Sequence, residues 1–272
     1  MDIVIALVVL VIIALVCAIV LTLAASFFAV KVDERAAAVR DCLPGANCGA
    51  CGFSGCDGYA AALSEGKTDN PSLCTPGGAD VAAQVAEIMG LAAGDVVKKV
   101  AFVGCNGECK AENRKYVYDG IQSCKAVKLS FSGDTQCTFA CLGYGDCMAV
   151  CPKDAIHINP ENGVAEVDPV ACIGCGLCAK TCPQSIIDML PETSRIVVKC
   201  SSHDKGAVTR KACSNGCIGC MKCQKTCPHG AITVKNNLAV IDYDKCTGCG
   251  ECQAACPVKC IHIENFICGT HL

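Results

Sequence analysis

Two arrays of cysteine set the terms on which this chain can fold. The first runs Cys217-Ile-Gly-Cys220-Met-Lys-Cys223-Gln-Lys-Thr-Cys227-Pro228, and the second Cys246-Thr-Gly-Cys249-Gly-Glu-Cys252-Gln-Ala-Ala-Cys256-Pro257. Three thiolates at C-x2-C-x2-C wrap a tight loop around one [4Fe-4S] cube. The fourth, three residues on and before a proline, turns to the other cube, so that each half completes its partner's site. Cys217, Cys220, Cys223 and Cys256 are therefore expected to hold one cluster, and Cys246, Cys249, Cys252 and Cys227 another. Paired zinc knuckles also use C-x2-C, but a zinc module closes on four ligands of its own. It gives no reason for the longer run to appear twice.

The same logic recurs upstream in Cys137-x3-Cys141-x5-Cys147-x3-Cys151-Pro152 and Cys172-x2-Cys175-x2-Cys178-x3-Cys182-Pro183. The exchange rule joins Cys137, Cys141 and Cys147 to Cys182, and Cys172, Cys175 and Cys178 to Cys151. The stretched spacing of the first array leaves the roles of Cys137 and Cys141 open. After each pair comes a matching segment: Ala155 to Ile158 with Val164 to Val167, and Ala231 to Val234 with Leu238 to Ile241. Each predicts a short hairpin, so the chain contains two bacterial-type two-cluster ferredoxin modules as internal repeats. Cys260 falls where the repeats place Ala155 and Ala231, which makes it a small core residue rather than a ligand.

Nearer the N-terminus, Cys48-Gly-Ala-Cys51-Gly-Phe-Ser-Gly-Cys56 is closed by Cys74 after a loop. Cys48, Cys51, Cys56 and Cys74 form a fifth quartet, and glycines between them let backbone amides approach the sulfurs of a cube. Short helices are expected around it over Glu34 to Arg40, Tyr59 to Ser64 and Asp80 to Leu91, the last with Val81, Val85, Ile88 and Met89 on one face. Cys42 lies outside the quartet. Val96 to Val103 reads as a strand. Five sites use 20 of the 29 cysteines. Cys105, Cys109, Cys124, Cys200 and Cys213 remain as isolated thiols or as the source of a sixth site. Cys17 and Cys268 have no evident role, and His157, His203, His229, His262 and His271 stand at no ligand-like spacing.

So much cysteine with 4% aromatic residues and no tryptophan points to small domains built on inorganic cores. A disulfide-rich secreted chain is the competing class, but its cysteines scatter along loops, whereas these fall in arrays followed by proline. A net charge of -3 offers no basic footprint for nucleic acid. Ile3 to Val30 is 28 residues without a charge, a helix of about 42 Å against a hydrocarbon core of roughly 30 Å. It is expected to cross the membrane. A signal peptide would begin with basic residues, and here only Met1 and Asp2 precede the run. Lys31, Arg35 and Arg40 follow it, which by the positive-inside rule puts the bulk of the chain in the cytoplasm.

The expected class is α+β: a single-pass transmembrane anchor over 1–31, a small helical four-cysteine [4Fe-4S] module over 32–93, a connecting region over 94–134, and ferredoxin modules over 135–192 and 193–272. No dinucleotide loop, Walker loop or nucleophile beside a base appears, so the chemistry is electron transfer without a substrate-transforming site. The anchor, the Asn47-Cys48-Gly-Ala-Cys51-Gly-Phe-Ser-Gly-Cys56 module and the ferredoxin repeats together resemble the B subunit of the Rnf complex, over nearly the whole chain. The resemblance implies an electron-transfer subunit of an ion-translocating (Na+ or H+) ferredoxin:NAD oxidoreductase in the cytoplasmic membrane. It implies soluble ferredoxin and the other subunits as partners, among them a nicotinamide- and flavin-binding one. Short family members carry one ferredoxin module; this chain departs in carrying two. A ferredoxin-like subunit of a hydrogenase or formate dehydrogenase and a zinc-binding scaffold are the rival classes.

Overall fold

The computed structural model describes residues 2–27, 33–94, 96–107 and 114–267; Cys109, Cys268 and His271 lie outside them. Helix α1 covers Asp2–Phe27. The expected transmembrane helix over Ile3 to Val30 is corrected: among the described residues, no helix is long and apolar enough to cross a membrane.

Three helices form the next unit: α2 (Glu34–Cys42), α3 (Cys56–Ser64) and α4 (Gly78–Met89). Asp33 caps α2 by accepting from the Arg35 amide at 2.9 Å. Such a cap satisfies one of the first-turn N–H groups that the helix cannot. The apolar faces meet in a core of Val39, Tyr59, Leu63 and Val85, all but excluded from water. Tyr59 keeps its hydroxyl satisfied by donating to the Asn70 carbonyl at 2.8 Å.

Among the described residues, the remainder is built from four two-stranded antiparallel sheets. Strand β1 (Lys99–Val103) pairs with β4 (Ile187–Pro191), and the hairpin β2 (Ile156–Ile158) with β3 (Ala165–Val167) sits between them in sequence. The pattern repeats as β5 (Ile196–Val198) with β8 (Ile261–Ile263) around the hairpin β6 (Ile232–Lys235) with β7 (Leu238–Ile241). Thus Lys99–Val103, placed by sequence in the connecting region, closes the terminal sheet of the first ferredoxin module. Short helices lie among the cysteine-bearing loops: α5 (Cys124–Leu129), α6 (Asp146–Ala149), α7 (Leu177–Thr181), α8 (Gly206–Ala212), α9 (Lys222–Thr226) and α10 (Glu251–Ala254), each but α8 holding one cysteine.

The two modules are not independent. Phe266, at the end of the second, is buried in the core of the first, edge-on to Phe102 with ring centroids 6.3 Å apart. A nearly buried ion pair between Lys199 and Glu264, 2.6 Å long, lies at the same junction. Beside the first module, Arg114 pairs with the fully buried Asp134 and lies over the Tyr144 ring.

One glycine fixes how closely the first module can close. Gly174 has φ +68°, and a Cβ there would lie 2.3 Å from the Lys99 carbonyl oxygen. Gly174→Ala must therefore push β1 away as well as adopt a left-handed backbone, an expected cost of about 2–4 kcal/mol. Gly230, at φ +58°, has nothing within 4 Å of its would-be Cβ, so Gly230→Ala is expected to cost only the backbone term, about 1 kcal/mol. Bleaching of the visible iron–sulfur absorption on heating should be markedly faster in the first variant and close to the parent in the second.

Candidate metal centres

The N-terminal quartet is assembled by a loop and a helix start. Cys56 opens α3 and is buried. Its amide donates to Asn47 Oδ1 at 2.8 Å, which ties the Cys48–Cys51 loop to the helix. Cys74 precedes a single 3-10 turn at Thr75–Gly77 and is also buried. With Leu43, Pro44 and Tyr59, the four cysteines line one space. Burial pushes the Cys74 thiol up to about 11, and the neighbouring Cys56, Cys48 and Cys51 add to the shift. Cys42 packs against this core from outside the quartet.

In the first ferredoxin module, Cys178 is raised to about 11 by burial and then by Cys172, Cys175 and Cys151, which surround it. These are the four that the exchange rule puts together. The Cys151 sulfur accepts from the Ala155 amide at 3.3 Å, an amide-to-sulfur bond of the kind that tunes cluster potential. The stretched array behaves differently. Cys124, Cys141, Cys147 and Cys182 line one apolar space with Leu142 and Ile187. Burial pushes Cys147 up to about 12, helped by Cys141, Cys124 and Cys182 as neighbours. Cys137 is not among them. It faces Cys213 and Asp204 instead. Cys124, at the first position of α5, occupies the place expected of Cys137. A signal was present: ten residues separate Cys137 from Cys147, against six between Cys217 and Cys223 in the regular array.

The second module brings together both of its expected sets. Cys223 is raised to about 11 by burial, with Cys217, Cys220 and Cys256 beside it, and Cys227, Cys246, Cys249 and Cys252 line a further space. Four short helices in the two modules begin after a residue in left-handed conformation, three of them glycines and the fourth Met221 at φ 60°. Cys260 is buried to the same degree as Ala155 and Ala231, with its sulfur 3.7 Å from that of Cys256. Its thiol bonds lower Cys256 to about 5 and Cys217 to about 6, while its own proton is held far more tightly than usual.

These donor sets fit [4Fe-4S] clusters: four thiols to a set, drawn from both halves of a repeat around a shared space, with backbone amides aimed at sulfur. Among the described residues, no three or more His, Cys, Asp or Glu side chains close on a point as a single ion would need.

Comparison with known proteins agrees. A family model described as "Putative Fe-S cluster" matches residues 43–76. One described as "4Fe-4S dicluster domain" matches 136–186 and 216–260, and a second of that description matches 171–232. The B subunit of the Na(+)-translocating ferredoxin:NAD(+) oxidoreductase complex of Acetobacterium woodii is 46% identical over 83% of this chain and 67% of its own length. The proton-translocating counterpart of Clostridium ljungdahlii is 45% identical over 87% and 83%. The chain belongs to the B-subunit family of ion-translocating ferredoxin:NAD(+) oxidoreductase complexes. The Methanosarcina acetivorans member, named for an ion-translocating oxidoreductase complex, is 36% identical over 83% of this chain and 84% of its own. As a member of this family, the chain is an iron–sulfur electron-transfer component carrying multiple [4Fe-4S] clusters.

Proposed function

We propose that this chain carries electrons between soluble ferredoxin and the other subunits of an ion-translocating complex at the cytoplasmic face of the cell membrane, a nicotinamide- and flavin-binding subunit among them. Five quartets would hold its clusters. The first is Cys48, Cys51, Cys56 and Cys74. The first module supplies Cys151 with Cys172, Cys175 and Cys178, and Cys124 with Cys141, Cys147 and Cys182. The second supplies Cys256 with Cys217, Cys220 and Cys223, and Cys227 with Cys246, Cys249 and Cys252. When bound, such clusters supply low-potential one-electron carriers.

The observation that carries the proposal is the adjacency of successive sets. Cys48 neighbours Cys175, and Lys180 donates to the Cys48 carbonyl at 3.0 Å, joining the N-terminal quartet to the first module. Among the described residues, Cys220 and Cys249 are the exposed cysteines of the ferredoxin modules, so a soluble redox partner can reach the second module most directly. Relatives named for Na+ and for proton translocation are almost equally similar, so the coupling ion is either. Anaerobic addition of reduced ferredoxin to the loaded chain should bleach its visible absorption rapidly. Absence of bleaching would overturn ferredoxin as the donor.

The quartets carry their own prediction. Cys220→Ser is expected to lose one cluster, about four irons, or to convert it to a smaller one. Cys260→Ser should leave iron unchanged, because its sulfur bonds to two ligands without being one. Equal iron loss from both variants would put Cys260 among the ligands.

A further inference from the structure

Cys105, Cys137, Cys200 and Cys213 come from four separate segments: the loop after β1, the stretched array, the loop after β5 and the end of α8. All four line one cavity of about 430 Å³ at the junction of the two ferredoxin modules. Sequence spacing offers no hint of such a set, since 32 residues separate the first two and 63 the next two. We propose that these four cysteines hold a further [4Fe-4S] cluster, placed between the modules. The proposal rests on the iron–sulfur reading of the other quartets and extends it to three thiols outside the arrays, Cys105, Cys200 and Cys213, with Cys137, which the stretched array does not bring to its expected partners.

Sulfur geometry is the first support. A Cβ on Gly107 would stand 3.5 Å from the Cys105 sulfur and 3.9 Å from that of Cys213, so the two face each other across a glycine. Cys137 and Cys213 are neighbours, and so are Cys200 and Cys137. Backbone amides already point at the set: the Cys200 sulfur accepts from Cys217 at 3.2 Å and from Ser202 at 3.5 Å, and the Cys105 sulfur accepts from Cys141 at 3.5 Å. The amides of Cys141 and Cys217 tie the set to each module, one on either side. The second support is charge. Lys199, Arg210 and Lys211 line the same cavity, as suits an anionic thiolate-held cluster, although Lys199 is also paired to Glu264. Third, the walls are fixed from both modules: Ser201 donates to the Gly104 carbonyl at 2.8 Å, and Asn215 to that of Asn106 at 2.9 Å. Four thiols at a joint braced on both sides are arranged for a ligand that bridges it.

The test is iron and sulfide content of the reconstituted full chain, with Cys→Ala variants taken singly and in pairs. Cys137→Ala and Cys200→Ala should each lose about four irons and four sulfides, and the double variant should lose no more than either, because both act on one cluster. Cys137→Ala with Cys182→Ala should lose twice as much, because those two belong to different clusters. The opposite pattern, additive for Cys137 with Cys200 and non-additive for Cys137 with Cys182, would restore the sequence pairing and overturn the proposal. So would parental iron in Cys200→Ala, or zinc recovered from the site. A parent chain without iron would instead reject the reading on which the proposal rests. A misfolded variant is recognised by iron loss beyond one cluster, and Cys213→Ala, at the end of α8, then supplies the single-cluster comparison.

Discussion

Replacing Cys51 by Ser in the purified complex is expected to abolish turnover from reduced ferredoxin to NAD while the remaining clusters are still reduced at the parental rate. The quartet of Cys48, Cys51, Cys56 and Cys74 meets the ferredoxin modules where the Cys48 loop contacts Cys175 and Lys180. The exposed thiols Cys220 and Cys249 lie in the other module. Loss of the quartet thus removes one end of the row and leaves the rest connected. The α2–α4 core should tolerate the change, because Val39, Tyr59, Leu63 and Val85 are its buried centre and Cys51 only packs against it, half-buried, from the edge. Stopped-flow absorbance separates the two processes. If reduction of the other clusters is lost along with turnover while the helices persist, ferredoxin enters at this quartet and not through the second module.

What the sequence revealed, and what it hid, divides by distance along the chain. The regular arrays and the hairpins β2–β3 and β6–β7 are local: spacing and alternation over a few residues define them, and both appear where expected. Helices α2, α3 and α4 likewise follow from a cap, a glycine stop and one apolar face. The terminal pairings β1–β4 and β5–β8 bring together segments more than sixty residues apart, and nothing in a five-residue strand names its partner. Membership of the first array's site is half legible: the stretched spacing leaves Cys137 open, but nothing local names Cys124 in its place. Cys124 reaches Cys147 because α5 packs Val127 against Leu142, while Cys137 lines the cavity shared with Cys105, Cys200 and Cys213. The uncharged N-terminal run misleads in another way, since its composition reads as a membrane span that the described residues do not supply.

Removing iron is expected to unfold both ferredoxin modules, a larger effect than any single substitution. Their sheets have two strands each, of three to five residues, and an isolated two-stranded hairpin is marginal at best in water. In the second module, the buried core consists of Ile196, Ile232, Ala239 and Ile261 together with Cys217, Cys223, Cys252 and Cys260. Three of those eight residues, Cys217, Cys223 and Cys252, are proposed ligands that only the metal would crosslink. The free energy of cluster binding is then in effect folding free energy. Burial raises Cys147 to about 12 and Cys223 to about 11, so these ligands release protons when iron binds, and the loaded fold should weaken as pH falls. The α2–α4 unit has its own apolar core and should keep part of its helix. Chelation of the intact chain, followed by far-UV circular dichroism and amide exchange, should therefore show loss of protection across 99–263 with residual protection near Tyr59 and Val85. An iron-free chain that retained protection at Val100, Ile196 and Ile261 would mean that the strands hold without their clusters. The thiols would then decorate a fold rather than make it.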